Sequence, residues 1–153
     1  MYTVNIRHNF ETAHRLSHPQ APTKCQSIHG HSWWVDVDIC GEALDERGMI
    51  VEFGAFKLAW RSFLDDHVDH HLALKEGDPV AAAIRSVLPE SRVLELPFEP
   101  TTEHMARWLY ERASEVLNDG LNPDDRLWIG KVHVQETRVN AASYAPPRPL
   151  TSP

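Results

Sequence analysis

From His29 to Ile39 the chain runs with a period of two. His29, His31, Trp33, Val35, Val37 and Ile39 occupy the odd positions, while Ser32, Asp36 and Asp38 fall between them. Side chains two apart on a strand project from the same face, so this pattern commits the segment to an extended strand with one buried side. It also puts the two histidines together at the head of the apolar face. An earlier strand carries the same parity through Val4, Ile6, Phe10 and His14, which brings a third imidazole to a neighbouring strand end. Three neutral imidazoles match a metal centre with an open fourth position. Imidazole-only ligation favours zinc and is compatible with iron, nickel or copper. The chain has ten histidines in all, and His8, His18, His67, His104 and His133 have no such spacing; they are read as packed or solvated.

At 153 residues the chain is the size of one domain and can bury a core without disulfide or metal staples. Its 42% hydrophobic and 24% charged content is that of a globular protein, and no apolar run is long enough to span a bilayer. The net charge of −7, with no cluster of Lys or Arg, argues against nucleic acid as a partner. The opening MYTVNIRHNF has no basic segment followed by an apolar one, so the expected location is cytoplasmic. Free thiols are then expected at Cys25 and Cys40. Cys40 ends an apolar strand and reads as packing. Cys25 lies in the polar loop APTKCQS beside Lys24, a setting in which a nearby cation or metal activates a thiol.

Strand patterns cover Tyr2 to Ala13, Ser32 to Gly41, a shorter piece from Met49 to Phe53, then Leu127 to Glu136 and Ala142 to Tyr144. Helical spacing of Phe56, Trp60, Phe63, Leu64 and His67 predicts a helix over about 54–67, followed by the loop VDHHLAL. A second helix starts near Thr101 or Thr102, after Pro100 and with Glu103 in its first turn, and is ended by Gly120 and Pro123. The order predicts an α+β fold, an antiparallel sheet with both helices on one face, as a single domain over residues 1–145. Residues 75–99 read as an insertion, with a short helix over Pro79 to Val87 and an extended piece over Arg92 to Leu96. Residues 146–153 read as a flexible tail.

Asp69-His70-His71 places an acid before two imidazoles, the usual way to set a histidine tautomer and raise its basicity. With Cys25 it makes a thiol, imidazole and carboxylate set suited to proton transfer beside a Lewis acid. Glu136 shares the parity of Val132 and Val134, and a carboxylate on that apolar face wants a donor partner such as the edge of an amino-pyrimidine.

Six stretches, FETAHRL, CQSIHGHSW, GMIVEFGAFK, VDHHLAL, PTTEHMARWLYE and VHVQETRVNAASY, occur in the order found in the 6-pyruvoyltetrahydropterin and 6-carboxytetrahydropterin synthase family, which the chain resembles over most of residues 8 to 144. The resemblance implies the T-fold, a four-stranded antiparallel sheet with two helices on one face, closed into a barrel by assembly into a hexamer of two trimers. It implies His14, His29 and His31 as zinc ligands, Cys25 as the proton-abstracting thiolate with Asp69 and His70 as its partners, and Glu136 as the pterin anchor. Thr102 and Glu103 would border the pocket. The three residues between Cys25 and His29 resemble the 6-carboxytetrahydropterin branch of 7-deazapurine (queuosine, preQ0) biosynthesis. That enzyme takes 7,8-dihydroneopterin triphosphate to 6-carboxytetrahydropterin with loss of triphosphate and acetaldehyde. Glu52 replaces the family's usual Asp before Phe, the DHH loop lacks its terminal Asn, and the 75–99 insertion is long. The sibling pyruvoyl enzyme, a non-catalytic metal- or pterin-binding module, and a lyase or hydrolase acting on an unrelated metabolite are the competing readings. No basic run marks a triphosphate site; Arg15, Lys24 and Lys57 are the nearest cations.

Overall fold

The computed structural model describes residues 1–122 and 125–147. Its frame is the antiparallel pair of β1 (Tyr2–His14) and β2 (His29–Gly41), in register from Tyr2 opposite Gly41 to His14 opposite His29. The loop between them holds one short turn of helix, α1 (Thr23–Gln26). On the far side of β2 lies β5 (Leu127–Gln135), and β6 (Ala141–Tyr144) pairs with β5, both antiparallel. The register of β2 against β5 shifts at Gly130, where a Cβ would come within 2.5 Å of the Cys40 sulfur. Cys40 is accordingly a packed, buried thiol.

Period-two burial places Ile6, Phe10, Val35, Val37, Val132 and Val134 on one face of the sheet. Two helices cover that face: α2 (Phe53–His67) through Phe56, Trp60 and Leu64, and α4 (Thr102–Asn118) through Leu109, Ala113 and Leu117. The opposite face is polar, with Asn5 bonded to Asp38, Lys131 paired with Asp38, and Arg7 set between Asp36 and Gln135.

The sheet has six strands in the order β4-β3-β1-β2-β5-β6, not four, and it is mixed rather than antiparallel. The additions are β3 (His71–Lys75), expected as loop, and β4 (Val93–Leu96), expected as an extended piece. β3 runs parallel to the last three residues of β1, and β4 runs parallel to β3. Between them lies α3 (Pro79–Val87), capped by Asp78, whose carboxylate accepts the Val80 N–H. With β3 ahead of them, residues 75–99 thus complete a strand, helix, strand crossover, the connection that parallel pairing requires. Arg85 of α3 pairs with Glu95, and Leu74, opposite Glu95 in register, is fully buried, so α3 covers the sheet face that α2 and α4 leave open.

Met49 to Phe53, expected as a strand, makes no ladder. Asp45 closes a turn by accepting the Arg47 and Met49 N–H groups, Ile50 drops into the core, and Glu52 caps α2 through Gly54 and Ala55. A buried apolar side chain and a helix cap account for the alternation that reads as strand. β2 begins three residues earlier than expected, at His29, so the histidine pair is part of the ladder. Pro123 and residues 148–153 of the expected tail lie outside the described residues.

Phe56 is fully buried and stacked 6.3 Å from Trp60, whereas Leu58 on the same helix is 75% exposed. Phe56→Ala is expected to cost about 3–5 kcal/mol and Leu58→Ala less than about 0.5 kcal/mol. Thermal and denaturant unfolding of the two variants beside the parent checks this.

Candidate metal centre and active site

The β1–β2 register brings His14 opposite His29, and the strand period brings His31 to the same face. One nitrogen from each ring can be chosen so that all three lie within 4.8 Å of one another. His14 is buried, and the other two are half-buried. Trp33, the next residue on that face, stands edge-on to His14 and His31, with its indole N–H donating to the Thr12 carbonyl at 3.0 Å. Trp34 points the other way and lies under the Arg7 guanidinium.

Hydrogen bonding fixes two of the tautomers. His14 Nδ1 lies 2.8 Å from the Pro100 carbonyl and His29 Nδ1 lies 2.8 Å from the Ser27 carbonyl. A carbonyl oxygen only accepts, so each Nδ1 carries the proton and donates it. Each Nε2 then presents a bare lone pair in the neutral ring. Those two Nε2 atoms are 3.0 Å apart. Two acceptors at that distance repel unless a cation lies between or beside them. A proton is disfavoured there, because burial holds His14 below the ordinary histidine value, against the opposing pull of the Pro100 carbonyl and Glu136. Burial lowers His31 as well, again opposed by Glu136. Ligand nitrogens of one tetrahedral zinc at its usual bond length stand about 3.3 Å apart, close to the separation of the two Nε2 atoms. The donor set fits a divalent metal, and the carbonyls are the outer partners that aim its ligands.

Glu136 follows β5 on the same sheet face. Its Oε1 lies 3.7 Å from His14 Nε2 and 4.0 Å from His31 Nε2, and it accepts a hydrogen bond from the Thr102 hydroxyl at 3.0 Å. Of the two candidate caps of α4, Thr101 does the capping, accepting the His104 N–H, which leaves Thr102 for Glu136. Glu103 is exposed in the first turn of α4.

Asp69 and His70 form a second unit. His70 Nδ1 donates to Asp69 Oδ2 at 2.6 Å, which leaves Nε2 as the imidazole's free acid-base atom, while His71 Nδ1 donates to the Asp69 main-chain carbonyl. Asp69 Oδ1 accepts the Glu11 N–H, and the Glu11 carbonyl accepts the His70 N–H. These bonds pin the pair to the edge of β1 and hold His70 at φ 57°, a left-handed backbone uncommon outside glycine. Burial alone would raise the Asp69 carboxyl. The Glu11 N–H, His70 and Arg61 together outweigh it and hold the group below the ordinary carboxylate value. His70 and His31 line one cavity of about 620 Å³ with Glu11, Ser32 and residues of α3 and β4.

Cys25 does not join either unit within the chain. Its main-chain carbonyl accepts the Leu16 N–H, which folds the α1 loop back beside β1, but no described residue hydrogen-bonds the thiol, and it lies outside the three-histidine group. Of the three cations nearest in sequence, Arg15 is paired with Asp78 and Lys57 lies over the Phe53 ring. Sequence reasoning did not reach the Pro100 and Ser27 carbonyls, because a main-chain acceptor has no residue signature.

The curled α+β sheet with a three-histidine centre at the end of its central strands defines a T-fold domain. The chain belongs to the 6-pyruvoyl tetrahydropterin synthase family, whose sequence profile matches residues 3–147. It is 25% identical over 149 residues to a 6-carboxy-5,6,7,8-tetrahydropterin synthase of Haemophilus influenzae, covering 94% of this chain and 99% of that one. It is 29% identical over 152 residues to the enzyme of the same name from Synechocystis, covering 97% and 96%. The Rickettsia bellii protein of that name is 33% identical over 106 residues, 69% of this chain and 75% of its own. Among solved structures, an uncharacterized protein from Wolinella succinogenes matches with a TM-score of 0.77 at 20% identity over 94% and 97% of the two chains. The Caenorhabditis elegans 6-pyruvoyl tetrahydropterin synthase matches at 0.65 and 22%, over 95% of each. At these identities the structures speak for the fold alone.

His29→Ala and His14→Ala are each expected to drop bound metal from about one per chain to near zero, while Cys25→Ala keeps it. Elemental analysis after dialysis checks this.

Proposed function

We propose that this protein is a zinc-dependent 6-carboxy-5,6,7,8-tetrahydropterin synthase. It converts 7,8-dihydroneopterin triphosphate and one water to 6-carboxytetrahydropterin, triphosphate and acetaldehyde, in a cytoplasmic route to 7-deazapurines. The observation that carries this reading is the metal-ready histidine cluster with Glu136 beside it on the same sheet face, in a chain whose curated relatives bear that enzyme's name. When bound, zinc would supply Lewis acidity to the hydroxyls of the substrate side chain and so acidify the neighbouring C–H.

The protein's own groups do the rest. Glu136, steadied by Thr102, accepts the amino-pyrimidine edge of the pterin and fixes its orientation, a contribution to effective concentration. Glu103 borders the same pocket. Cys25 removes a proton from the side chain, and His70, oriented by Asp69, returns one through Nε2.

Assembly completes the site in this reading. The His70 side chain is 71% exposed, and the Cys25 thiol has no partner among the described residues. We propose that Cys25 of one chain meets Asp69 and His70 of another in a hexamer of two trimers. Sheet edges support it: β3 covers β1 only over Thr12–His14, and β6 is the other edge strand, so β1 and β6 of neighbouring chains can pair and close a barrel. Among the described residues no helix is long and apolar enough to cross a membrane.

Anaerobic incubation of zinc-loaded protein with 7,8-dihydroneopterin triphosphate, read by mass spectrometry with an acetaldehyde assay, tests the reaction. Carboxytetrahydropterin with acetaldehyde is the expected result. A pyruvoyl product would move the chain to the sibling enzyme, and unreacted substrate would favour a binding module or an unrelated reaction. Cys25→Ala and His70→Ala homomers are each expected to lose at least about 100-fold in kcat. Dissociating and reassembling the two together restores a measurable fraction of activity if the site is shared between chains; continued inactivity of the mixture would place thiol and imidazole in one chain.

A further inference from the structure

Glu99 stands one residue before Pro100, whose carbonyl holds the His14 ring. Its side chain is 15% exposed and accepts twice from Ser17, from the N–H at 2.8 Å and from the hydroxyl at 2.6 Å. Both bonds are charge-assisted, the stronger kind. Lys75, at the end of β3, lies 4.0 Å from one of the carboxylate oxygens. The Glu99 main-chain carbonyl accepts the Thr101 N–H at 2.7 Å and the His104 Nδ1–H at 2.9 Å. The first of these closes a three-residue turn on Pro100, and the second joins that turn to the start of α4.

Ser17 leads in the other direction, to the thiol. Its neighbour Leu16 donates its N–H to the Cys25 carbonyl at 2.8 Å, which closes the neck of the loop that carries Cys25. Inside the loop the Gln26 amide donates to the Pro19 and Ala21 carbonyls and braces it as one piece. Two short paths therefore leave Glu99, one through Ser17 and Leu16 to Cys25 and one through Pro100 to His14. The neighbouring clasp, Arg15 with Asp78, is looser: Arg15 Nε and Asp78 Oδ2 are 3.5 Å apart, and both atoms are buried without a hydrogen bond.

We infer that Glu99 is a positioning residue for the metal centre and the thiol together, one carboxylate that sets both the carbonyl aiming His14 and the loop presenting Cys25. This rests on the function proposed above. Both paths run within one chain, so the role is the same whether Cys25 meets His70 of its own chain or of another. Glu99 touches no reacting atom; its contribution is to hold the outer partner of a ligand and the approach of a base in one fixed relation.

Chelator-competition titration with Zn2+, the visible absorption of the Co2+-substituted protein and steady-state kinetics at saturating Zn2+ test the role in Glu99→Ala, Glu99→Gln and Ser17→Ala, with Glu95→Gln as a control in the same crossover. Glu99→Ala is expected to weaken Zn2+ binding about tenfold and to alter the Co2+ spectrum. At saturating Zn2+ its kcat stays about tenfold or more below the parent while KM changes less, because the Thr102 to Glu136 bond is untouched. Ser17→Ala, which removes the hydroxyl bond and keeps the N–H bond, shows smaller losses of both kinds. Glu99→Gln recovers most of the loss, since its amide oxygen can accept the Ser17 N–H and its amide NH2 can donate to the hydroxyl. Glu95→Gln matches the parent. Parental Zn2+ affinity with an unaltered Co2+ spectrum in Glu99→Ala, or in Ser17→Ala if the former does not fold, would overturn the assignment, as would a parent that binds no Zn2+. If Zn2+ binding depends on Glu99 but the parent does not turn over the pterin triphosphate, the positioning of His14 stands and the proposed reaction falls.

Discussion

Two bare imidazole lone pairs, His14 Nε2 and His29 Nε2, face each other at 3.0 Å. Each is committed to that state by a carbonyl that takes the proton on the other ring nitrogen. The arrangement costs electrostatic energy without a cation, so it persists only where the backbone over-determines it. That backbone is the antiparallel ladder from Tyr2–Gly41 to His14–His29, closed at the site end by Pro100 just before α4. Trp33 walls the rings on one side, and Glu136 supplies negative charge on another. Core packing and metal-site geometry are therefore the same structure: a one-residue slip of β1 against β2 would turn His14 away and bury Arg7 or Glu11.

The legible parts of this chain were those with a period. The histidines and the valines share one alternation, so the strand pair, its buried face and the grouping of the three histidines can all be read together. Phe56, Trp60 and Leu64 give α2 in the same way. What escaped has no period to show. Five residues, His71–Lys75, are too few to separate strand from loop, and a parallel partner at β4 arrives only after a helix. Met49 to Phe53 alternates for another reason, since Ile50 plugs the core while Glu52 caps a helix. Carbonyl partners are invisible because every residue has one. Cys25, Asp69 and His70 could be picked out by residue type, yet their spatial relation could not, and a single chain leaves the thiol apart from the imidazole.

The crossover over residues 75–99 changes the surroundings of the site more than its centre. It lengthens the sheet beyond β1, places α3 on the face that α2 and α4 leave bare, and ties back to the end of β1 through Arg15 and Asp78. Ser17 and Glu99 make a second tie, with Ser17 donating through both its N–H and its hydroxyl. Glu99 immediately precedes Pro100, so the segment that carries the crossover also orients the His14 ring. A crossover bound this closely to the strand that carries His14 belongs to the architecture of the candidate site.

X-ray absorption at the zinc edge of the metal-loaded protein tests the central claim most directly. Three nitrogen ligands at about 2.0–2.1 Å and one light oxygen donor in the fourth position are expected. A sulfur ligand at about 2.3 Å would place Cys25 on the metal and remove it as a base, and a shell without imidazole would mean that the three histidines are not the metal's site.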